Sequence, residues 1–83
     1  MFACLCCGSL TLPGEPPGTY AVCPVCMWED DLVQGENPLV TGGANRLSLA
    51  EARDNYASFG ASERRLVCLV RPPTDDERGQ AVD

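Results

Sequence analysis

The sequence predicts a small α+β domain, in which a β-hairpin carrying two cysteine knuckles is followed by one or two helices. Two observations carry that prediction: a pair of Cys-x-x-Cys motifs near the start of the chain, and one well-delimited amphipathic helix over residues 48–60. Length supplies a third. Eighty-three residues make a single domain, and a domain this short buries a modest fraction of its surface. With 23 sizeable apolar side chains and no Ile, it needs a staple: disulfides, a metal or a partner subunit. Six cysteines bring the first two forward.

Residues 1–28 hold the paired motifs. Ser9–Leu12 and Thr19–Val22 alternate in apolar character, which predicts two short antiparallel strands paired with each other. The turn-rich link Pro13-Gly14-Glu15-Pro16-Pro17-Gly18 would close that hairpin. Residues 29–47 read as loop, opened by Glu29-Asp30-Asp31 and punctuated by Asn37-Pro38 and Gly42-Gly43. The predicted helix over 48–60 starts at a capping box: the Ser48 side chain accepts from the amide of Glu51, whose carboxylate reaches back to the amide of Ser48. Leu49, Ala52, Tyr56 and Phe59 share one helical face, and Gly60 supplies a left-handed stop. Ser62-Glu63 offers a second N-cap. The run Leu66–Val70 fits a short helix with Leu66, Val67 and Val70 on one face, and it also fits a buried strand; the helix is preferred. Pro72-Pro73 ends it. The domain is expected to span residues 1–73, with 74–83 a disordered acidic tail.

The cysteines give the pattern C-x2-C-x15-C-x2-C through Cys4, Cys7, Cys23 and Cys26, a spacing that reads as a zinc site. Two residues between ligands let one tight turn offer both sulfurs to a single ion. A loop of about 15 residues returns the second turn beside the first, and four sulfurs at about 2.3 Å complete a tetrahedron in a zinc-ribbon-like fold. Gly8, after the first pair, takes the positive φ that a knuckle needs. Pro24 stiffens the second knuckle. Met27 stands where a second Gly would be expected, so it must adopt another geometry or accept strain. Cys6 is spare and is read as a small side chain beside the metal; Cys68, in an apolar run, is read as a core thiol.

Four thiolates make a closed site, whereas a catalytic zinc keeps a position for water or substrate. The chain has no His to act as an open-site ligand or general base, so an enzyme is not expected. The expected cofactor is one zinc ion. The alternative is a rubredoxin-like iron carrier or a thiol-based redox protein, although rubredoxin knuckles are usually farther apart in sequence.

The chain is acidic, with 12 Asp and Glu against six Arg and a formal net charge of −6. Four thiolates and one divalent ion bring that to about −8. Such a charge repels a phosphate backbone, which argues against nucleic acid as a partner. Met1–Leu12 lacks Lys and Arg and is broken by three Cys, Gly8 and Ser9, unlike a secretory signal. No stretch approaches the roughly 20 apolar residues of a membrane span. A cytoplasmic location, where thiols stay reduced, and no membrane association are expected.

Taken together, the motifs resemble the cysteine-rich CPCC family, small and largely bacterial proteins thought to bind zinc. The resemblance rests on Cys4-Leu5-Cys6-Cys7-Gly8, Leu10-Thr11-Leu12, Cys23-Pro24-Val25-Cys26 and Trp28-Glu29-Asp30-Asp31. It continues through Gly42-Gly43-Ala44-Asn45, Ser48-Leu49, Glu51-Ala52-Arg53, Asn55-Tyr56, Phe59-Gly60-Ala61 and Arg71-Pro72. Leu5 departs from it, standing where the family's name places Pro. The resemblance implies a metal site and a compact domain and names no substrate. Trp28 is expected beside the second knuckle, its indole N–H seeking an acceptor. Glu29, Asp30 and Asp31 read as a solvated turn, with one carboxylate paired to Arg53. A sharper reading gathers Trp28, Asp30, Asp31, Asn45, Arg53 and Tyr56 as a surface that binds another protein. The function expected is that of a structural zinc-binding module acting through protein–protein contact, as an adaptor or an immunity-type protein.

Overall fold

The computed structural model describes residues 1–79. Strand β1 (Phe2–Ala3) pairs antiparallel with β2 (Leu10–Leu12), helix α1 covers Leu32–Glu36, helix α2 covers Leu49–Phe59, and a 3-10 helix covers Arg64–Leu69. This is a small α+β arrangement, with one two-stranded sheet among the described residues.

The strand pairing differs from the one expected. Ser9–Leu12 does not pair with Thr19–Val22. Phe2 faces Leu12 and Ala3 faces Leu10, while Val22 bridges to Glu29. The cause is local: each knuckle folds the chain back sharply, so the segment entering it meets the segment leaving it first. On the second knuckle, the Tyr20 amide donates to Asp30 O at 3.0 Å and the Asp30 amide to Ala21 O at 3.0 Å. The register shifts between Phe2 and Ala3 and leaves Thr11 without an opposite residue, as in a bulge.

The loop expected over 29–47 contains α1. Its N-cap is Asp31, whose side chain accepts from the Gln34 amide. Asn37-Pro38 ends the helix without preventing it, because five residues fit between Asp31 and Asn37. Helix α2 follows its sequence signals closely: both capping-box bonds are present, at 3.0 and 3.1 Å, and Gly60 closes it at φ 83°. Leu49 and Ala52 are buried, and Tyr56 packs against the core from the same face.

Leu66–Leu69 is helical, but wound as a 3-10 helix with no buried residue, and Val70 is its extended C-cap. Cys68 is exposed, which corrects its expected place in the core. With three residues per turn in a 3-10 helix, Leu66, Val67 and Cys68 point to three different sides. Leu66 is half-buried while Val67 and Leu69 face outward. The Ser62 side chain does not cap this helix; the N-cap is Glu63, without a side-chain cap bond. Residues 75–79 form turns, tied back by Leu10 N–H donating to Glu77 O at 2.6 Å. The remainder of the predicted acidic tail, residues 80–83, lies outside the described residues.

The core is assembled on the cysteines. Cys4, Cys6, Cys23 and Cys26 lie buried with Leu12, Val25, Trp28, Leu49 and Ala52. So few large apolar side chains make a core that leans on its sulfurs.

Candidate metal centre

The two knuckles are built alike. In the first, the Cys4 amide donates to Ser9 O and the Gly8 amide to Cys4 O, both at 2.8 Å. In the second, the Cys23 amide donates to Trp28 O at 2.9 Å and the Met27 amide to Cys23 O at 2.7 Å. The residue after each second cysteine is left-handed, Gly8 at φ 81° and Met27 at φ 70°. Met27 thus keeps the knuckle geometry and accepts the strain that Gly8 avoids.

The knuckles face each other. The Sγ atoms of Cys4, Cys7, Cys23 and Cys26 all lie within 4.8 Å of one another. Cys4 Sγ is 3.6 Å from Cys26 Sγ, and Cys7 Sγ is 3.7 Å from Cys23 Sγ. A tetrahedron with metal–sulfur bonds of about 2.3 Å has edges of about 3.8 Å, close to these two. A disulfide would need about 2.05 Å, and all six cysteines are free. Four cysteines so placed could hold a metal ion.

Groups around the sulfurs suit thiolates. Thr11 Oγ1, at the bulge in β2, donates to Cys23 Sγ at 3.0 Å, and the Trp28 amide donates to Cys26 Sγ at 3.4 Å. Hydrogen bonds from Cys26, Cys4 and Cys7, with Thr11 adding to them, hold the Cys23 thiol below its usual range. Hydrogen bonding with Cys23 and Cys4 pushes the Cys26 thiol up, and burial adds to the rise. Without a cation, each further thiolate adds like charge in a dry site. A divalent cation lets all four ionise together.

The family model described as Cysteine-rich CPCC matches residues 2–77. The chain belongs to this family. Among curated proteins, none matches it in sequence. In this CPCC protein Cys6 is buried in the core with the ligand candidates and lies outside their set.

The six residues expected to form one partner-binding surface are distributed through the CPCC fold. Trp28 and Asp30 are each 1% exposed. Asp30 Oδ2 accepts from the Thr19 amide at 2.9 Å and the Thr19 hydroxyl at 2.8 Å, fastening the approach to the second knuckle. Trp28 Nε1 has no hydrogen-bond partner among the described residues. Asp31, buried, caps α1 and also accepts from the Ala44 amide at 3.0 Å. Those amides hold its carboxyl below the usual range. Asn45 clasps the Glu29 backbone, its Oδ1 accepting at 2.9 Å and its Nδ2 donating at 2.8 Å. Arg53 pairs with no member of the Glu29–Asp31 cluster; its Nε donates to Leu5 O at 2.8 Å. Tyr56 is half-buried against the cysteine core. Asp31 and Asn45 meet in one network, and the others serve separate joints.

Gln34 is the centre of that network and was not singled out by sequence. Fully buried, it donates from Nε2 to the carbonyls of Val40, Asn45 and Leu47 at 3.0–3.2 Å. Its Oε1 accepts from Asn45 N and Nδ2, both at 3.0 Å. Gly43 is small for this reason: a Cβ there would lie 2.8 Å from Gln34 Oε1 and 2.9 Å from Asp31 Oδ2. A polar side chain in a glycine-punctuated stretch carries no periodic signal, so only the fold reveals it.

Proposed function

We propose that this chain is a structural zinc module: Cys4, Cys7, Cys23 and Cys26 hold one zinc ion, and the surface they keep folded binds another protein, in an adaptor or immunity-type role. The mutual approach of four free sulfurs from two like-built knuckles carries the metal reading. An all-sulfur, tetrahedral donor set suits zinc or iron and not the oxygen-seeking calcium or magnesium. Bound there, zinc supplies no reaction centre, because four protein sulfurs complete its usual shell. It supplies folding free energy, which a core this small otherwise lacks.

Metal analysis of the purified chain tests the first half. About one zinc per chain and no colour is expected; a coloured, iron-loaded protein refutes zinc. Chelation is expected to abolish the cooperative melt and the helical circular dichroism, and an unchanged melt after verified metal removal refutes a structural role. The partner reading is supported by the acidic charge balance of the chain, −6 at neutral pH. It is tested by calorimetric titration against proteins encoded beside the gene. Binding that needs the zinc-loaded form is expected, and heat that is identical with the metal-free chain refutes it.

A further inference from the structure

Cys7 differs from the other three ligand candidates. Cys4, Cys23 and Cys26 are at most 2% exposed, whereas Cys7 is only half-buried. It lines a cavity of about 280 Å³ together with Gly8, Ser9, Tyr56, Pro73 and Arg78. The far wall of that cavity is the C-terminal strap, residues 70–79. This strap is anchored beside each knuckle: the Arg71 amide donates to Pro24 O at 3.3 Å, and the Leu10 amide to Glu77 O at 2.6 Å. Between the anchors, Arg71 grips Glu77 through two bonds of 2.7 and 2.8 Å, and Glu77 Oε1 also accepts from the Thr74 amide at 2.9 Å.

The strap is held by polar bonds and not by burial. None of the residues 71–79 is buried. A second cleft of about 330 Å³, lined in part by Val25, Tyr56, Phe59 and Pro72, adjoins it. A segment with few buried contacts opens at low free-energy cost. Lifting it would widen the access to Cys7, the half-buried sulfur of the four.

We propose that the cavity under this strap is the port through which the cluster's metal is exchanged, with Cys7 the ligand that yields and an anionic donor, a thiolate or a carboxylate, the incoming group. The port rests on the metal-holding reading of the four cysteines. Arg78 stands at the cavity wall, its side chain paired among the described residues with the fully solvated Asp75 at 2.8 Å, and attracts an incoming anion. As that donor takes its place, the freed Cys7 sulfur takes up a proton from bulk water.

The test uses the zinc-loaded chain, challenged in stopped flow with EDTA, an anionic chelator, and with 1,10-phenanthroline, a neutral one. Glu77→Gln weakens the strap's ion pair and is expected to speed both zinc release and zinc uptake by about two- to five-fold, the worth of a surface pair. Arg78→Gln is expected to slow release to EDTA, least at high salt, and to leave release to phenanthroline as it was. Faster release with uptake unchanged or slowed in Glu77→Gln overturns the port, since that is what a merely structural strap would give. Release rates that ignore chelator concentration, or that both substitutions leave unchanged in a chain that binds zinc, overturn the port alone. A chain that takes up no zinc overturns the port and the zinc reading together.

Discussion

Gly8→Ala isolates the conformational demand of a cysteine knuckle. Gly8 sits at φ 81°, and a Cβ built there meets nothing within 4 Å, so no steric clash enters the comparison. An L-residue in the left-handed region costs about 1–2 kcal/mol. Replacing Gly stiffens the unfolded chain and returns about 0.4–1 kcal/mol. The net loss is about 1 kcal/mol, and since folding and metal binding are coupled, it appears as a metal affinity weakened about five-fold. Competition titration against a chelator of known affinity reads it directly. Met27→Gly, at the equivalent place in the second knuckle with φ 70°, shifts affinity the other way by about 1 kcal/mol at most, because the added chain entropy of Gly offsets part of the relieved strain. A Gly8→Ala chain that binds as tightly as the wild type, or a Met27→Gly chain that loses as much as Gly8→Ala, refutes the equivalence of the two knuckles.

Three further predictions concern single side chains. Cys26→Ser removes a buried ligand and is expected to weaken metal affinity by more than the roughly 10–100-fold typical of losing an outer-sphere partner, while Cys68→Ser, at an exposed thiol, leaves it unchanged in the same titration. Ser48→Ala deletes one half of the capping box and is expected to cost about 1 kcal/mol in denaturant unfolding of the zinc-loaded chain, with no change in metal stoichiometry. The Arg71 guanidinium and the Thr74 amide hold the Glu77 carboxyl down at about 2, from an ordinary 4.5. Its folded-state pKa is depressed, so its contribution is fully present above pH 4.5 and is lost as pH falls toward 2. The stability gap between wild type and Glu77→Gln should shrink over that window and be small in high salt; a gap constant from pH 6 to pH 3 refutes the assignment.

Sequence reasoning succeeded where the signal is local. The capping box at Ser48 and Glu51, the stop at Gly60 and the face of Leu49, Ala52 and Tyr56 all depend on residues within a few positions of one another. The four cysteines are legible for a related reason, because two-residue spacing forces each pair into one turn. Its misreadings concern partners distant along the chain. Alternation in Ser9–Leu12 and Thr19–Val22 marks extended backbone but does not say which segment lies opposite. The apolar run at Leu66–Leu69 suggests burial, yet the cysteine core and α2 already fill the interior. The charged cluster Glu29–Asp31 looks like a solvated turn, although Asp30 and Asp31 are buried and accept from backbone and hydroxyl donors.

The sequence by itself determined that this chain offers four thiols in two matched turns, one well-capped helix and a small apolar set. Those properties follow from spacing and composition, which short-range sterics and hydrogen-bond chemistry turn into structure directly. The tertiary structure alone decided that each knuckle closes on its own flanking segment, and that Gln34 and Asn45 lock the central loop. It also decided that Cys7, beside Pro73 and Arg78 of the C-terminal segment, is the half-buried sulfur of the four. Each of these is a long-range juxtaposition, set by which surfaces remain uncovered once the sulfurs have met.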